Sequence, residues 1–240
     1  MHYGYRARIG YTSPPATTEV FPYEFYMVAP KGVTLVITTL AIVDMSKEEV
    51  DRSYQITLNA IEAMKRAKID VMVLGGVPVN VSRGFDNVDV VRRELEQEMG
   101  MPVTTSIDAQ VAALRQVGAK KVAVGHPFKD EPGKMFIDYT AQYGFELTGL
   151  IGLQSPPAEL GLIRTEDTIA MCRRLLRENP AADTIWLPCP HWACAEAIEP
   201  MEQELGVSVI SANQAITWQA MRIAGVDDRI PGYGRLLRDA

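Results

Sequence analysis

Short apolar runs alternate along this chain with longer segments of helical pattern, and this alternation limits the fold more than any other feature. A loop rich in glycine, proline or hydroxyl residues follows most of the runs. Strands that alternate with helices form parallel sheets, because a parallel strand needs a crossover to return to the same edge. The apolar runs are 8–11, 33–43, 70–74, 102–105, 121–125, 146–153, 184–187 and 207–210.

The order of strand, loop and helix recurs in both halves of the 240-residue chain, in pattern and not in residue identity. We therefore expect two sheets of about four strands each, rather than one sheet of eight. The N-terminal α/β domain is predicted at 1–117 plus 212–240, and the C-terminal α/β domain at 118–211.

Charge and composition exclude several classes of function. The chain has 24 Lys and Arg against 30 Asp and Glu, a net charge of −6, and no basic run. This balance argues against binding nucleic acid or an anionic membrane surface. The longest apolar run, 33–43, is interrupted by threonines and is too short to span a bilayer.

The cysteines and the N-terminus predict a cytoplasmic location. There are three cysteines, an odd number without the spacing of a secreted scaffold, so we expect reduced thiols. Residues 1–8 contain no apolar segment of the kind that signal peptides carry, so no signal peptide is expected.

Cys189 directly follows the buried strand predicted at 184–187, in the sequence Pro-Cys-Pro-His. Ligands of open α/β sheets bind beyond the carboxyl ends of the strands. A thiol there, close to the N-terminus of a helix, can have its pKa lowered toward neutrality and can deliver or take a proton. The alternative is a small buried hydrophobic residue, which is how we interpret Cys172 and Cys194. Cys194 is expected inside the helix predicted at 193–206.

Two other loops are candidates for ligand binding. The stretch 12–18 after the first strand is rich in hydroxyls, so it could bind an anion or could be a plain connector. Gly75 and Gly76 after the third strand predict a tight turn or a close approach to a ligand. A spaced third glycine and a lysine are missing there, so no nucleotide site and no organic cofactor is expected.

His126 and His191 also follow strand ends. With Cys189 they could form a metal site, but no pair has zinc-finger spacing and Cys-x-His puts two side chains on opposite faces of an extended segment. A Cys–His nucleophilic pair would suit a hydrolase or a transferase. The simpler alternative for either histidine is a hydrogen-bonded loop residue at the edge of the sheet, and we expect no metal.

The sequence from Cys189 to Gly225, above all 202–215, resembles the aspartate/glutamate racemase superfamily in its arylmalonate decarboxylase and maleate isomerase branch. Pro14-Pro15-Ala16, Arg83-Gly84 and the ending Pro-Gly-Tyr-Gly-Arg-Leu at 231–236 are most similar to arylmalonate decarboxylase. The resemblance implies an α/β fold of two pseudo-symmetric Rossmann-like domains. Each would be a four-stranded parallel sheet flanked by helices, with the active site in the cleft between them.

The resemblance also implies a role for Cys189. Racemases and maleate isomerases of this superfamily carry one cysteine from each domain, and here Gly76 holds the position of the first. Arylmalonate decarboxylase likewise has glycine there, and its single cysteine protonates the enediolate that remains after carbon dioxide has left. This chemistry needs no cofactor.

This chain departs from the decarboxylase pattern at four positions. Val77 and Pro78 stand where the decarboxylase has hydroxyl residues, Phe128 replaces a tyrosine, and Pro190 removes an amide donor. Each missing donor to a developing oxyanion costs about 3 kcal/mol if nothing replaces it. The possible replacements are Asn80, His126, His191 and Ser13.

We therefore expect a cofactor-independent enzyme that decarboxylates an α-substituted malonate, with Cys189 as the proton donor. The alternatives are a maleate cis-trans isomerase, an amino-acid racemase-like isomerase, or a binder of small carboxylates without catalysis. The expected partner is a small-molecule carboxylate, and the protein is expected to be a monomer or a small homo-oligomer. The expected substrate-binding residues are Ser13, Pro15, Thr17, Gly76, Val77, Pro78, Asn80, His126, Phe128, Pro190, His191 and Ser211.

Overall fold

A computed structural model describes residues 2–43, 46–76 and 87–240. Its first half alternates strands and helices as the sequence predicts. The elements are β1 (Ala7–Pro15), α1 (Val20–Val28), β2 (Val33–Ile42), α2 (Lys47–Arg66), β3 (Val71–Leu74), α3 (Val88–Met99), β4 (Val103–Thr105) and α4 (Ser106–Gln116).

The second half repeats the alternation and ends in two helices. Its elements are β5 (Lys121–His126), α5 (Asp130–Gly133), α6 (Met135–Gln142), β6 (Glu146–Gly152), a 3₁₀ helix (Pro157–Leu162), α7 (Thr165–Glu178), β7 (Thr184–Leu187), α8 (Ala195–Leu205), β8 (Ser208–Ser211), α9 (Ala212–Ile223) and α10 (Arg235–Asp239).

The strands of the described residues form two four-stranded sheets with the same order, β2-β1-β3-β4 and β6-β5-β7-β8. Every strand pair is parallel. The α/β fold of two four-stranded parallel sheets flanked by helices, predicted from the alternation, is therefore confirmed.

Several strands are buried along their whole length, as is usual where helices cover both faces of a parallel sheet. All four residues of β3 and all four of β7 are buried. In the second half, Ile185 and Leu187 of β7 share one core cluster with Cys172 of α7. The interpretation of Cys172 as a packing residue is confirmed.

The chain divides into two compact units, and their members interleave along the sequence. Unit 1 comprises Met1–Thr18, Phe25–Ala109 and Gln219–Asp228, and unit 2 comprises Glu19–Glu24, Gln110–Trp218 and Arg229–Ala240. Four stretches assigned above to the N-terminal domain group with unit 2, namely 19–24, 110–117, 212–218 and 229–240. The domain boundaries drawn from the sequence stay a prediction.

Two local expectations were wrong. The hydroxyl-rich stretch 12–18 is not all loop, because β1 continues to Pro15 by pairing with β2, across a register shift between Ser13 and Pro15. Cys194 is not inside a helix: it is the residue before α8, with a non-helical φ of −127°. Its backbone N–H accordingly has no partner inside the helix.

Among the described residues, no helix combines the length and the apolarity needed to cross a membrane.

We predict that replacing Gly75 by alanine destabilises the protein by about 2 kcal/mol or more. Gly75 donates its N–H to Thr12 Oγ1 at 3.0 Å, and an added Cβ would lie 1.9 Å from the Thr12 carbonyl oxygen. The measurement is the free energy of unfolding in urea, followed by circular dichroism.

The matched control is Gly100→Ala. Gly100 has a φ of +66°, but a Cβ there would meet no atom within 4 Å in the described structure. We expect it to cost about 1 kcal/mol, the usual penalty for alanine in this conformation. Equal losses in the two variants would contradict the close approach at Gly75.

Candidate active site

The carboxyl ends of β5 and β7 lie side by side in the middle of the sheet of unit 2. β6, which follows β5 in the sequence, pairs with β5 on one side of the sheet, and β8, which follows β7, pairs with β7 on the other. The position between β5 and β7 is therefore the topological switch point of the sheet. Ligands of open α/β sheets bind at such points. His126 is the last residue of β5, and Cys189 follows β7 by two residues.

Cys189 is a buried, neutral thiol. Its side chain is 3% exposed, and burial raises its pKa to about 12, although the backbone N–H of His191 contributes a hydrogen bond that favours the thiolate. The lowered pKa expected from the sequence is therefore wrong in direction. Desolvation outweighs the single hydrogen bond, so that at neutral pH this residue carries a proton that it can donate.

The N-terminus of α8 does not lower the pKa of Cys189, because a carboxylate already occupies it. Glu24 Oε1 accepts the backbone N–H of Cys194 at 2.6 Å and that of Ala195 at 2.8 Å. The amides that open a helix stabilise a thiolate only when they are free to face it.

The segment from Cys189 to Cys194 is fixed at several points. Thr168 Oγ1 in α7 donates a hydrogen bond to the carbonyl of Ala193 at 2.7 Å. Trp192 is fully buried in the core cluster that also holds Cys194, and its indole Nε1 finds no acceptor among the described residues. Such a constrained segment presents the thiol in one position.

His126 and His191 are both neutral at pH 7. Burial lowers the pKa of His126, against opposing contributions from Asp130 and from the backbone of Phe128. Burial also lowers the pKa of His191 to about 4. Each imidazole can therefore exchange hydrogen bonds with a ligand, but neither supplies a positive charge for a carboxylate.

The His126 ring is closely packed, and its Nδ1 has no hydrogen-bond partner within the described structure. A Cβ added to Gly133 in α5 would lie 2.2 Å from the ring, so only glycine fits there. The ring stacks on Phe128 at 6.2 Å and lies 5.5 Å from Phe136. His126 is thus tightly packed at the end of β5.

The other predicted site residues of unit 2 differ in burial and in their contacts. Phe128 is half-buried and stacks on Phe136 at 6.4 Å, and Pro190 is buried beside Cys189 in sequence. Ser211, the last residue of β8, accepts the Gln214 N–H at 3.2 Å and so caps α9.

In the part of the chain that the structure describes, no cluster of three or more His, Cys, Asp or Glu could hold a metal ion.

The predicted residues of unit 1 lie at the carboxyl ends of β1 and β3. Ser13 is buried, and its Oγ has no partner among the described residues, whereas Pro15 is half-buried and Thr17 is exposed. Gly76 is buried, with a φ of +79°. Val77, Pro78 and Asn80, with Arg83 and Gly84, lie outside the described residues.

Sequence reasoning missed Glu24, Trp192 and Asn213. Glu24 is 5% exposed, and besides the two backbone amides it accepts the side-chain amide of Asn213 at 2.6 Å. One signal was available: Glu24 is the single charged residue in the otherwise apolar helix Val20–Val28. A lone carboxylate in such a helix indicates a buried partner.

Several known proteins resemble this chain, some of them over almost its whole length. A family described as arylmalonate decarboxylase matches residues 9–237. Arylmalonate decarboxylase of Bordetella bronchiseptica is 26% identical over 97% of both chains, and maleate isomerase of Alcaligenes faecalis is 29% identical over 59% of this chain and 56% of its own. A crystal structure of a mutant arylmalonate decarboxylase in its liganded form superposes with a TM-score of 0.89 at 24% identity, covering 98% of this chain and 100% of that one.

We predict that Cys189 in the folded protein reacts with iodoacetamide at least about 30-fold more slowly than in the unfolded chain at about pH 8. A pKa of about 12 leaves very little thiolate at that pH, and the greater nucleophilicity of this thiolate offsets only part of the loss. Peptide mass spectrometry distinguishes the three cysteines.

Cys172, whose pKa burial also raises to about 12, is the internal comparison and is expected to be protected as well. Labelling in urea should modify all three residues at similar rates. Rapid labelling of Cys189 alone in the folded protein would show that its thiol is ionised or exposed, contrary to the buried, neutral state described above.

Proposed function

This chain belongs to the arylmalonate decarboxylase family, and from that premise we propose that it is a cofactor-independent lyase that removes carbon dioxide from an α-substituted malonate. The observation that carries the proposal is the neutral thiol of Cys189 beyond the carboxyl end of β7. A general acid must hold its proton at the working pH, and burial supplies that condition here.

The proposed reaction needs one proton and no metal. The bond between the α carbon and one carboxylate breaks, carbon dioxide leaves, and the electron pair remains on the other carboxylate as an enediolate. The Cys189 S–H then protonates the α carbon. The resulting thiolate recovers a proton from water, and its return to the neutral form is favoured by the burial that raises its pKa.

In the proposed reaction, hydrogen bonds stabilise the enediolate. Within unit 2, His126 and His191 are neutral, so we propose that they act as hydrogen-bonding groups and not as cations. Phe128 and Pro190 are proposed to supply apolar wall in place of donors. An aryl or alkyl substituent on the malonate suits such a wall better than a second charged group does.

A maleate isomerase activity is the second candidate. The matched part of the Alcaligenes faecalis maleate isomerase has slightly higher identity than the Bordetella bronchiseptica decarboxylase, although over a shorter length. Against this candidate, Gly76 stands where the resemblance to isomerases would place a first thiol. A panel of substituted malonates, maleate and amino acids separates the candidates, and thermal stabilisation without turnover of any of them would favour a carboxylate binder.

We predict that Cys189→Ala lowers turnover of the accepted substrate by about 100-fold or more, because it removes the proton donor. The control is Cys172→Ala, which removes a core thiol of α7 and is expected to keep its rate per folded molecule. The measurement is carbon dioxide release, with circular dichroism to verify folding. Full activity of Cys189→Ala would end the proposal.

We also predict that decarboxylation of a prochiral disubstituted malonate gives mainly one enantiomer. A single thiol delivers its proton from one face of the enediolate, whereas racemisation needs acid and base groups on both faces. In heavy water the product should carry one solvent deuterium at the α carbon. Chiral chromatography and mass spectrometry measure both results, and racemic product without a nonenzymatic background would mean that a second proton donor exists.

A further inference from the structure

Glu24 gives the N-terminus of α8 a carboxylate from a distant part of the sequence. Its Oε1 accepts two backbone N–H groups, those of Cys194 and Ala195, and its Oε2 accepts the side-chain amide of Asn213. All these residues belong to unit 2. Burial raises the pKa of Glu24, and the hydrogen bonds from Ala195, Asn213 and Cys194 oppose that shift. Because every partner is a donor, the ionised carboxylate is the form that satisfies the set.

These two amides directly follow the segment that carries Cys189. The first amides of a helix have no partner inside it, and a carboxylate at this position both accepts them and complements the helix dipole. Only 190–193 separate Cys189 from the first contact with Glu24. Within that stretch, Pro190 fixes one φ angle, and Trp192 is fully buried.

We propose that Glu24 is a positioning residue that fixes Cys189 in its reactive place by holding the backbone at Cys194 and Ala195. The inference rests on the proposed function, in which Cys189 delivers the proton. Glu24 itself is not proposed to touch the substrate. A misplacement of about 1 Å in a catalytic group can cost about 100-fold in rate, so a residue that fixes the segment has a measurable effect on turnover.

Asn213 makes the proposal testable with a conservative substitution. Its Oδ1 has no partner within the described structure, while its Nδ2 donates to Glu24. In Glu24→Gln, the new side-chain oxygen can still accept both backbone amides. Rotation of the Asn213 amide by half a turn would then bring Oδ1 to the new side-chain N–H₂, so that all of the contacts are kept.

The test compares three variants of the whole chain. We expect Glu24→Gln to keep kcat within about threefold of the parent, and Glu24→Ala to lose about 20-fold or more in kcat with a smaller change in KM. The control, Glu196→Gln, removes an exposed carboxylate in the first turn of α8 and is expected to leave both constants unchanged. A Glu24→Ala protein that folds and turns over like the parent would overturn the proposal.

A second readout does not depend on catalysis. Labelling of Cys189 by N-ethylmaleimide, located by peptide mass spectrometry, should be at least about tenfold faster in Glu24→Ala and within about twofold of the parent in Glu24→Gln. If Cys189→Ala kept full activity, the proposed function would fail, yet this labelling would still show whether Glu24 holds the segment. Unchanged labelling in a folded Glu24→Ala protein would contradict that role.

If Glu24→Ala does not fold, the double variant Glu24→Gln/Asn213→Ala takes its place. Without Asn213, the amide introduced at position 24 loses its proposed acceptor. We therefore expect the kcat of the double variant to be about tenfold lower than the value obtained by multiplying the effects of the two single variants. If the effects of the two single variants on kcat simply multiply in the double variant, the proposed exchange of partners is wrong, and so is the positioning contact.

Discussion

Parallel pairing in a fixed order is the constraint on which the rest of this structure depends. Because each strand enters the sheet in the same direction, every strand of a sheet ends at the same edge. The order β6-β5-β7-β8 then makes β5 and β7 neighbours, while the strands that follow them pair on opposite sides. His126 and Cys189 come to the same edge for this reason, although 62 residues separate them in sequence.

The features that follow from local pattern could be predicted from the sequence. The buried run 184–187 identified β7 and therefore the position of Cys189. The extension of β1 to Pro15 could not be predicted in the same way, since it depends on pairing with a distant strand. The protonation state of Cys189 was also beyond the sequence, because desolvation is a property of the assembled core.

The electrostatic character of the unit 2 site follows from those tertiary effects. A Cys–His nucleophilic pair, which the sequence left open, needs a thiolate or a base close to the thiol. Cys189 is neutral with a pKa of about 12, and His191 contacts its sulfur through a backbone N–H. A neutral thiol of this kind is better suited to giving a proton than to attacking a carbonyl carbon.

The interleaving of the two units has a consequence for how the chain acquires its structure. Unit 1 includes Gln219–Asp228, where Gln219 accepts a hydrogen bond from Thr104 at 2.7 Å and Asp228 pairs with Arg6. Unit 2 in turn requires Glu24, which contacts residues 170 or more positions later. Such long loops must close late, so on a ribosome neither unit can become complete until nearly the whole chain has emerged. The chain is consequently exposed to misfolding for most of its synthesis, and no continuous fragment shorter than about 200 residues should fold into either unit intact.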